Sequence, residues 1–309
     1  MTRFAMVWFA AVFSCALAGT ARGELVLSFD RVVNVEGIRF SGTDDGRFIA
    51  GVDVDPTNGH LWIAGQGEAG DDDARVTLVE FDPRAAHVLQ SFNLAGFNQI
   101  PGSPIALALQ PGTGRLFVNS WVQREDNPDF GYTTVVDQTG AIVSGPTNHG
   151  DVYLAGNAFD PAGQLFQVHV NAAGPIDRVD PASGAVEQVI PIVDTFVGGQ
   201  NYYAADFDPL TGHLFLAGSS GLLEIDLSSG RTIGNTSVFD FIPLLPGQNP
   251  TVLALAFSES GDRVYVGGEF GLVALQRAVP EPSSLALAAA GLVGVAGYLR
   301  RRRAQRSKR

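Results

Sequence analysis

The stretch Gly51-Val52-Asp53-Val54-Asp55-Pro56-Thr57-Asn58-Gly59-His60-Leu61-Trp62-Ile63-Ala64-Gly65 reads as two strands joined by a tight turn. Val52 and Val54 alternate with Asp53 and Asp55, the period-two pattern of a strand with one face buried. Asp55-Pro56 opens the turn, because Asp can bond its own backbone and Pro presets φ. Gly59 supplies the positive φ that closes it, and Leu61-Trp62-Ile63 begins the return strand.

This hairpin recurs along the chain. Ile105-Ala106-Leu107-Ala108-Leu109-Gln110-Pro111 leads to Gly114 and Leu116-Phe117-Val118. Gly156-Asn157-Ala158-Phe159-Asp160-Pro161 leads to Gly163 and Leu165-Phe166. Ala204-Ala205-Asp206-Phe207-Asp208-Pro209 leads to Gly212 and Leu214-Phe215. A weaker fifth copy runs from Leu253 through Ser258 and Gly261 to Val264-Tyr265. With Asp55, Gln110, Asp160, Asp208 and Ser258 aligned, the steps are 55, 50, 48 and 50 residues. Looser hairpins lie between the copies, at Val79–Pro83, Ile176–Gly184 and Leu223–Gly230. Two hairpins in about 50 residues make four antiparallel strands, the unit of a β-propeller blade.

The expected fold is therefore all-β, a propeller of five four-stranded blades. Six blades would follow if residues 24–47 held more than one strand, and an open pair of β-sandwiches is the competing arrangement. After the fifth copy only Gly271–Leu275 remains, so its blade is one strand short. Glu24-Leu25-Val26-Leu27-Ser28-Phe29 is a strand without a partner and is expected to complete that blade, closing the ring and removing an exposed edge. Propeller sensor and binding domains carry similar Asp-Pro turns, a resemblance that gives no activity by itself.

Charge is uneven. The 309-residue chain has a net charge of −12, but residues 24–276 hold 10 Arg, no Lys and 31 Asp+Glu, a balance of −21. A phosphate backbone needs clustered cations, so nucleic acid is excluded as a partner. Such a domain instead attracts cations. Cys15 is the single cysteine, which leaves the domain without disulfide or thiol chemistry.

The two ends read as address labels. Residues 1–23 show Arg3, an apolar run from Phe4 to Ala18 and small residues to Gly23, the order of a secretory signal for Sec export. At the other end, residues 277–309 hold Val279-Pro280-Glu281-Pro282, an uncharged stretch from Ser283 to Leu299, and Arg300, Arg301, Arg302 and Arg303. The stretch is just long enough to span a bilayer, and the arginines stop transfer and hold that end in the cytoplasm. These residues resemble the PEP-CTERM sorting signal of Gram-negative bacteria that make exopolysaccharide. The resemblance implies recognition by exosortase, a membrane-embedded peptidase acting near Pro280-Glu281-Pro282, and a place in the cell envelope, at the cell surface or in the extracellular matrix.

Candidate chemistry is sparse. No Gly-x-Ser-x-Gly elbow or phosphate-cradling loop is present, and no catalytic residue is assigned. His60 and His213 share one slot of the repeat, after the turn glycine, and read as surface residues. His149 and His169 have no such explanation. Asp71, Asp72 and Asp73 join the two hairpins of the first blade and form a candidate Ca²⁺ loop, although without EF-hand spacing. The loops leading into each blade carry Asn98-Gln99, Asn148-His149, Gln200-Asn201 and Gln248-Asn249, an amide ring that could bind a sugar or a cation. Two functions are compatible with this set. One is a non-enzymatic binding or scaffolding module of the exopolysaccharide or biofilm layer. The other is a Ca²⁺-assisted hydrolase or lyase with its site in the central channel.

Overall fold

The computed structural model describes residues 25–33, 49–65, 76–94, 103–124, 127–149, 154–170, 174–192, 201–219, 221–238 and 251–278. Every regular element among them is a strand. Blade 1 is, in the chain order expected for a meander, β2 (Ile49–Val54), β3 (Leu61–Gly65), β4 (Thr77–Asp82) and β5 (His87–Asn93). Blade 2 is β6 (Ser103–Gln110), β7 (Arg115–Arg124), β8 (Asn127–Val136) and β9 (Ile142–Asn148). Blade 3 is β10 (Leu154–Phe159), β11 (Leu165–His169), β12 (Ile176–Val179) and β13 (Val186–Ile190). Blade 4 is β14 (Tyr202–Phe207), β15 (Leu214–Gly218), β16 (Gly221–Asp226) and β17 (Arg231–Thr236). Blade 5 is β18 (Ala254–Phe257), β19 (Arg263–Gly268) and β20 (Gly271–Arg277), completed by β1 (Leu27–Val33) from the start of the chain.

The expected closure is thus present. β1 runs antiparallel to β20 from Leu27↔Arg277 to Val33↔Leu272. The inner strands β2, β6, β10, β14 and β18 each adjoin the next, and β18 returns to β2, so the ring has five blades and not six. Close approach of the inner strands needs small residues. A Cβ on Gly51 would lie 2.7 Å from the Leu107 backbone nitrogen, and one on Gly156 3.0 Å from that of Ala205. The slot equivalent to these glycines holds Ala106, Ala204 and Ala254 in the other blades.

The turns follow the chemistry read from the repeat. Asp55 Oδ1 accepts the Thr57 N–H at 2.8 Å, Asp160 Oδ1 that of Ala162 at 2.9 Å, and Asp208 Oδ1 that of Leu210 at 3.0 Å. Gly59, Gly114, Gly163, Gly212 and Gly261 all take φ between 66° and 82°. The second hairpins repeat the device with Asp82, Asp137, Asp180 and Asp226, each accepting the N–H two residues on.

The core lies in the seams between blades. Four of the five seams are filled by large apolar clusters, for example Leu61, Ile63, Val79 and Phe81 against Ala254, Tyr265 and Leu272 between blades 1 and 5. The seam between blades 2 and 3 differs: its apolar cluster shrinks to Ala108, Phe117, Val135, Phe159, Leu165 and Val179. The described residues up to Arg277 form one compact unit.

Candidate functional site

The five blades act as controls for one another, because strand register fixes which residues occupy the same slot. In blade 3, Asn157, Gln167 and Asp177 form one cross-strand row. The same row is Val52-Ile63-Val79 in blade 1, Leu107-Val118-Thr134 in blade 2, Ala205-Leu216-Leu223 in blade 4 and Leu255-Val266-Val273 in blade 5. Facing it from blade 2 is the pair Asn119–Thr133, whose slots hold Ala64–Leu78, Val168–Ile176, Ala217–Leu222 and Gly267–Leu272 elsewhere. Five polar side chains therefore stand where the other blades carry apolar ones, Thr134 excepted, and all five meet in a single seam. All are buried, Asn119 fully and Asp177 at 9% exposure.

Asn119, Thr133, Asn157 and Gln167 form a connected network, while Asp177 bonds His169. Asn119 Nδ2 donates to Asn157 Oδ1 at 2.8 Å, and Thr133 Oγ1 donates to Asn119 Oδ1 at 2.8 Å. Gln167 Nε2 donates to Asn157 Oδ1 and to Thr133 Oγ1, both at 3.2 Å. His149, at the end of β9, brings Nε2 to 2.9 Å from Thr133 Oγ1. With the Thr133 hydroxyl proton on Asn119, His149 Nε2 is the donor of this contact and Nδ1 carries the lone pair. Burial holds the His149 pKa below the usual imidazole value, against a smaller upward pull from Asp177. The imidazole is therefore neutral at pH 7. Beside it, His169 Nε2 lies 2.9 Å from Asp177 Oδ2, while Asp177 Oδ1 is buried with no hydrogen-bond partner.

At its outer end the network opens into a cavity of about 50 Å³ lined by Thr133, Thr147, His149, Gln167 and Asp180. That is room for a few waters or one small polar group. At its inner end Asn157 lines a space of about 10 Å³ between the inner strands. Such a space holds no more than a single water.

Buried polar networks are costly unless every member is satisfied, and their replacement by packed apolar groups is often stabilising. The quadruple change Asn119→Ala, Thr133→Leu, Asn157→Leu and Gln167→Ile installs residues that other blades already carry in those slots. It is expected to stabilise the protein by about 1–4 kcal/mol. Thr133→Ala alone leaves Asn119 and Gln167 short of a partner and should cost about 1–3 kcal/mol. Thermal unfolding of the full chain in detergent, followed by circular dichroism, separates the two; a quadruple variant less stable than the parent would contradict the reading.

A second polar feature sits at the channel edge. Asp53 on β2 accepts the N–H of Leu109, and Asp206 on β14 that of Phe257 at 2.6 Å. Those N–H groups belong to the neighbouring blade's inner strand, whose free edge has no ladder partner. The equivalent slots hold Ala108, Ala158 and Ala256 in the other blades. Burial pushes the Asp53 carboxyl up to about 7, and burial together with the charge of Asp53 raises Asp206 well above the usual carboxylate range. The folded state keeps protons here that the unfolded chain releases, so the stability they carry is present at acid pH and lost as pH rises through about 7. The melting temperature is expected to fall between pH 5 and pH 8, and the fall to flatten in an Asp53→Ala/Asp206→Ala variant. A pH profile of melting temperature for both proteins checks this, and equal slopes would refute it.

Other residues singled out from the sequence are distributed as follows. His60 and His213 do share a slot, and each places Nδ1 on a glutamate of the third strand, Glu80 at 2.7 Å and Glu224 at 2.6 Å. Asn201 donates to Tyr203 Oη at 3.1 Å and does not join the seam network. Asn98, Gln99, Gln200, Gln248, Asn249, Asp71, Asp72 and Asp73 lie outside the described residues, as do the signal segment and residues 279–309. Among the described residues no group of three or more His, Cys, Asp or Glu is arranged to hold a metal ion. A wider groove of about 430 Å³ between blades 1 and 5 is lined by Asn58, Arg84, Glu259, Asp262, Arg263 and Tyr265. Much of its charge is spoken for locally, with Asp262 bonded to Ser258 and Ser260 and Arg263 paired with Asp30 at 3.5 Å.

A search of curated proteins found no match to the chain. Among solved structures, a glutaminyl cyclase from Myxococcus xanthus is similar at 16% identity and a TM-score of 0.53, over 82% of this chain and 97% of that one. A gluconolactonase from Xanthomonas campestris is similar at 11% identity and a TM-score of 0.48, over 82% and 96%. At such identities the likeness concerns the propeller fold alone. Residues 278–303 match the PEP-CTERM protein-sorting motif, so the propeller belongs to an exported, membrane-associated protein sorted by exosortase.

Proposed function

We propose that the chain is a non-enzymatic surface protein whose propeller binds or scaffolds the extracellular polysaccharide layer of a Gram-negative bacterium. The observation that carries this is position: the sorting motif begins at residue 278, directly after the last strand residue, Arg277. The cargo delivered by sorting is then the propeller itself. In this reading residues 1–23 direct Sec export, residues 283–299 span the membrane, and Arg300–Arg303 remain inside until exosortase acts at Val279-Pro280-Glu281-Pro282. Retention of the purified chain on isolated matrix polysaccharide tests it. Failure to retain any matrix component would overturn it.

One observation favours an enzyme as the second reading. A neutral His149 with a free Nδ1 lone pair stands beside Thr133 and Gln167, and His169 is oriented by Asp177. Such a group could serve as a general base in a hydrolase or lyase. The site of such an enzyme would lie in the central channel or in this seam cavity, which His149 lines. A Ca²⁺-assisted version would draw its ligands from Asp71–Asp73, and loss of bound metal together with activity on chelation would support it.

A further inference from the structure

We infer that the groove between blades 1 and 5 is a seat for a neutral sugar unit, and that the polysaccharide taken by this module is uncharged where it is bound. The inference rests on the binding function proposed above and names its site and ligand class.

The groove lies where a contact made in other seams is missing. Strand register makes Asp55, Asp208 and Ser258 one slot of the first turn. It makes Pro83, Gln138, Leu227 and Arg277 one slot of the second. Two seams are tied across these slots. Gln138 of blade 2 donates to Asp55 of blade 1 at 3.1 Å, and Arg277 of blade 5 donates to Asp208 of blade 4 at 2.8 Å. Between blades 3 and 4, Leu227 packs against the apolar cluster instead. Between blades 5 and 1 neither happens. Ser258 donates its hydroxyl to Asp262 of its own turn at 2.8 Å. Pro83 has no side-chain donor, and its carbonyl is taken by Arg31 at 3.0 Å. Both residues line the groove of about 430 Å³. That volume falls within the range of small-molecule sites, about 300–1,000 Å³.

The lining is balanced in charge, with Arg84 and Arg263 against Glu259 and Asp262. Arg263 is engaged with Asp30, and Asp262 with the Ser258 and Ser260 hydroxyls. Among the described residues, the Arg84 guanidinium and the Glu259 carboxylate have no partner. The first offers only donors and the second only acceptors. A hydroxyl donates and accepts at once, so a ligand rich in hydroxyls serves both. Val54, Pro56 and Pro83 add an apolar side that suits the C–H face of a sugar ring.

Charge disfavours the other polymer classes. Residues 24–276 carry −21 and no lysine, which repels a polyanion. A polycation would meet Arg84 and Arg263 in the groove itself.

The test is calorimetric titration of the full chain in detergent with neutral trisaccharides of glucose, mannose and galactose. Galacturonate and glucosamine trisaccharides are the charged controls. At least one neutral trisaccharide is expected to bind, and more tightly than either charged one. Arg84→Ala and Glu259→Ala should each weaken that binding about tenfold or more, the effect of losing one hydrogen bond to a charged group. Both side chains are exposed, so the melting temperature should stay at the parent's. Arg231→Ala, which removes an exposed arginine of β17, should leave binding unchanged. The inference is overturned if no neutral trisaccharide binds, or if a charged one binds as tightly as the best neutral one. Undiminished binding by both groove variants overturns it as well. On isolated matrix polysaccharide, equal retention of the parent and an Arg84→Ala/Glu259→Ala double variant overturns the inference and leaves the broader proposal standing. Failure of the parent itself to be retained overturns both.

Discussion

Deleting residues 25–33 is expected to abolish the folded monomer. Leu25, Leu27 and Val33 are 4%, 6% and 3% exposed, and they fill the seams on either side of blade 5. Burial of each such side chain contributes about 1.5–3 kcal/mol, so the three together approach the whole stability of a typical domain, about 5–15 kcal/mol. The deletion also removes the ladder from Leu27↔Arg277 to Val33↔Leu272 and exposes the edge of β20. A free edge of that length pairs with another copy. Far-UV circular dichroism and light scattering should find unfolded chain or oligomers, and a synthetic peptide of residues 24–34 added in trans should restore a monomer. A monomeric deletion variant with unchanged melting temperature would show that the ring does not depend on this closure.

Closure was readable from the sequence because blades are repetitive and the count does not come out even. Five Asp-Pro-type hairpins need twenty strands, and the C-terminal end supplies one too few while the N-terminal end supplies one to spare. The turn glycines were equally readable, since Gly59 and its equivalents are forced by positive φ. The seam network was not. Asn119, Thr133, Asn157, Gln167 and Asp177 each read alone as an unremarkable residue in a strand, and no spacing rule joins them across more than fifty residues. Their signal lies in the column comparison: Asn157-Gln167-Asp177 against Val52-Ile63-Val79 shows a buried row turned polar, but only after the register of each strand is known. His149 stands out in the sequence because its loop has no evident structural role there, and Thr133 is the contact that gives it one. His60 and His213 read in the sequence as plain surface residues, and their glutamate partners are hidden there because Glu80 and Glu224 lie one strand away.

Arg277→Ala should be among the most destabilising single substitutions in the propeller. Arg277 Nη1 lies 2.8 Å from both carboxylate oxygens of Asp208, whose side chain is 0% exposed while that of Arg277 is 12% exposed. Asp208 is the turn aspartate of blade 4, and it also accepts the Leu210 N–H and the Thr211 hydroxyl. Its counterpart Asp55 in blade 1 takes an amide, Gln138 Nε2 at 3.1 Å, where Asp208 takes a guanidinium. Blade 4 thus depends for charge balance on the final residue of the final strand. Removing one partner of a buried pair costs about 3–5 kcal/mol, since the other charge stays enclosed without compensation. At about 2–4 °C per kcal/mol for a domain of this size, the melting temperature should drop by roughly 6–20 °C. Asn at position 208 can keep the turn hydrogen bonds without the charge, so Asp208→Asn combined with Arg277→Ala should recover much of the loss. A double-mutant cycle on the two residues then measures the coupling directly. If the single and double variants melt together, the enclosed charge is not what Arg277 compensates, and the effect belongs to lost packing of the guanidinium stem. The outcome bears on sorting as well as stability, because Arg277 immediately precedes the motif at residues 278–303 and its pairing holds the end of β20 in register.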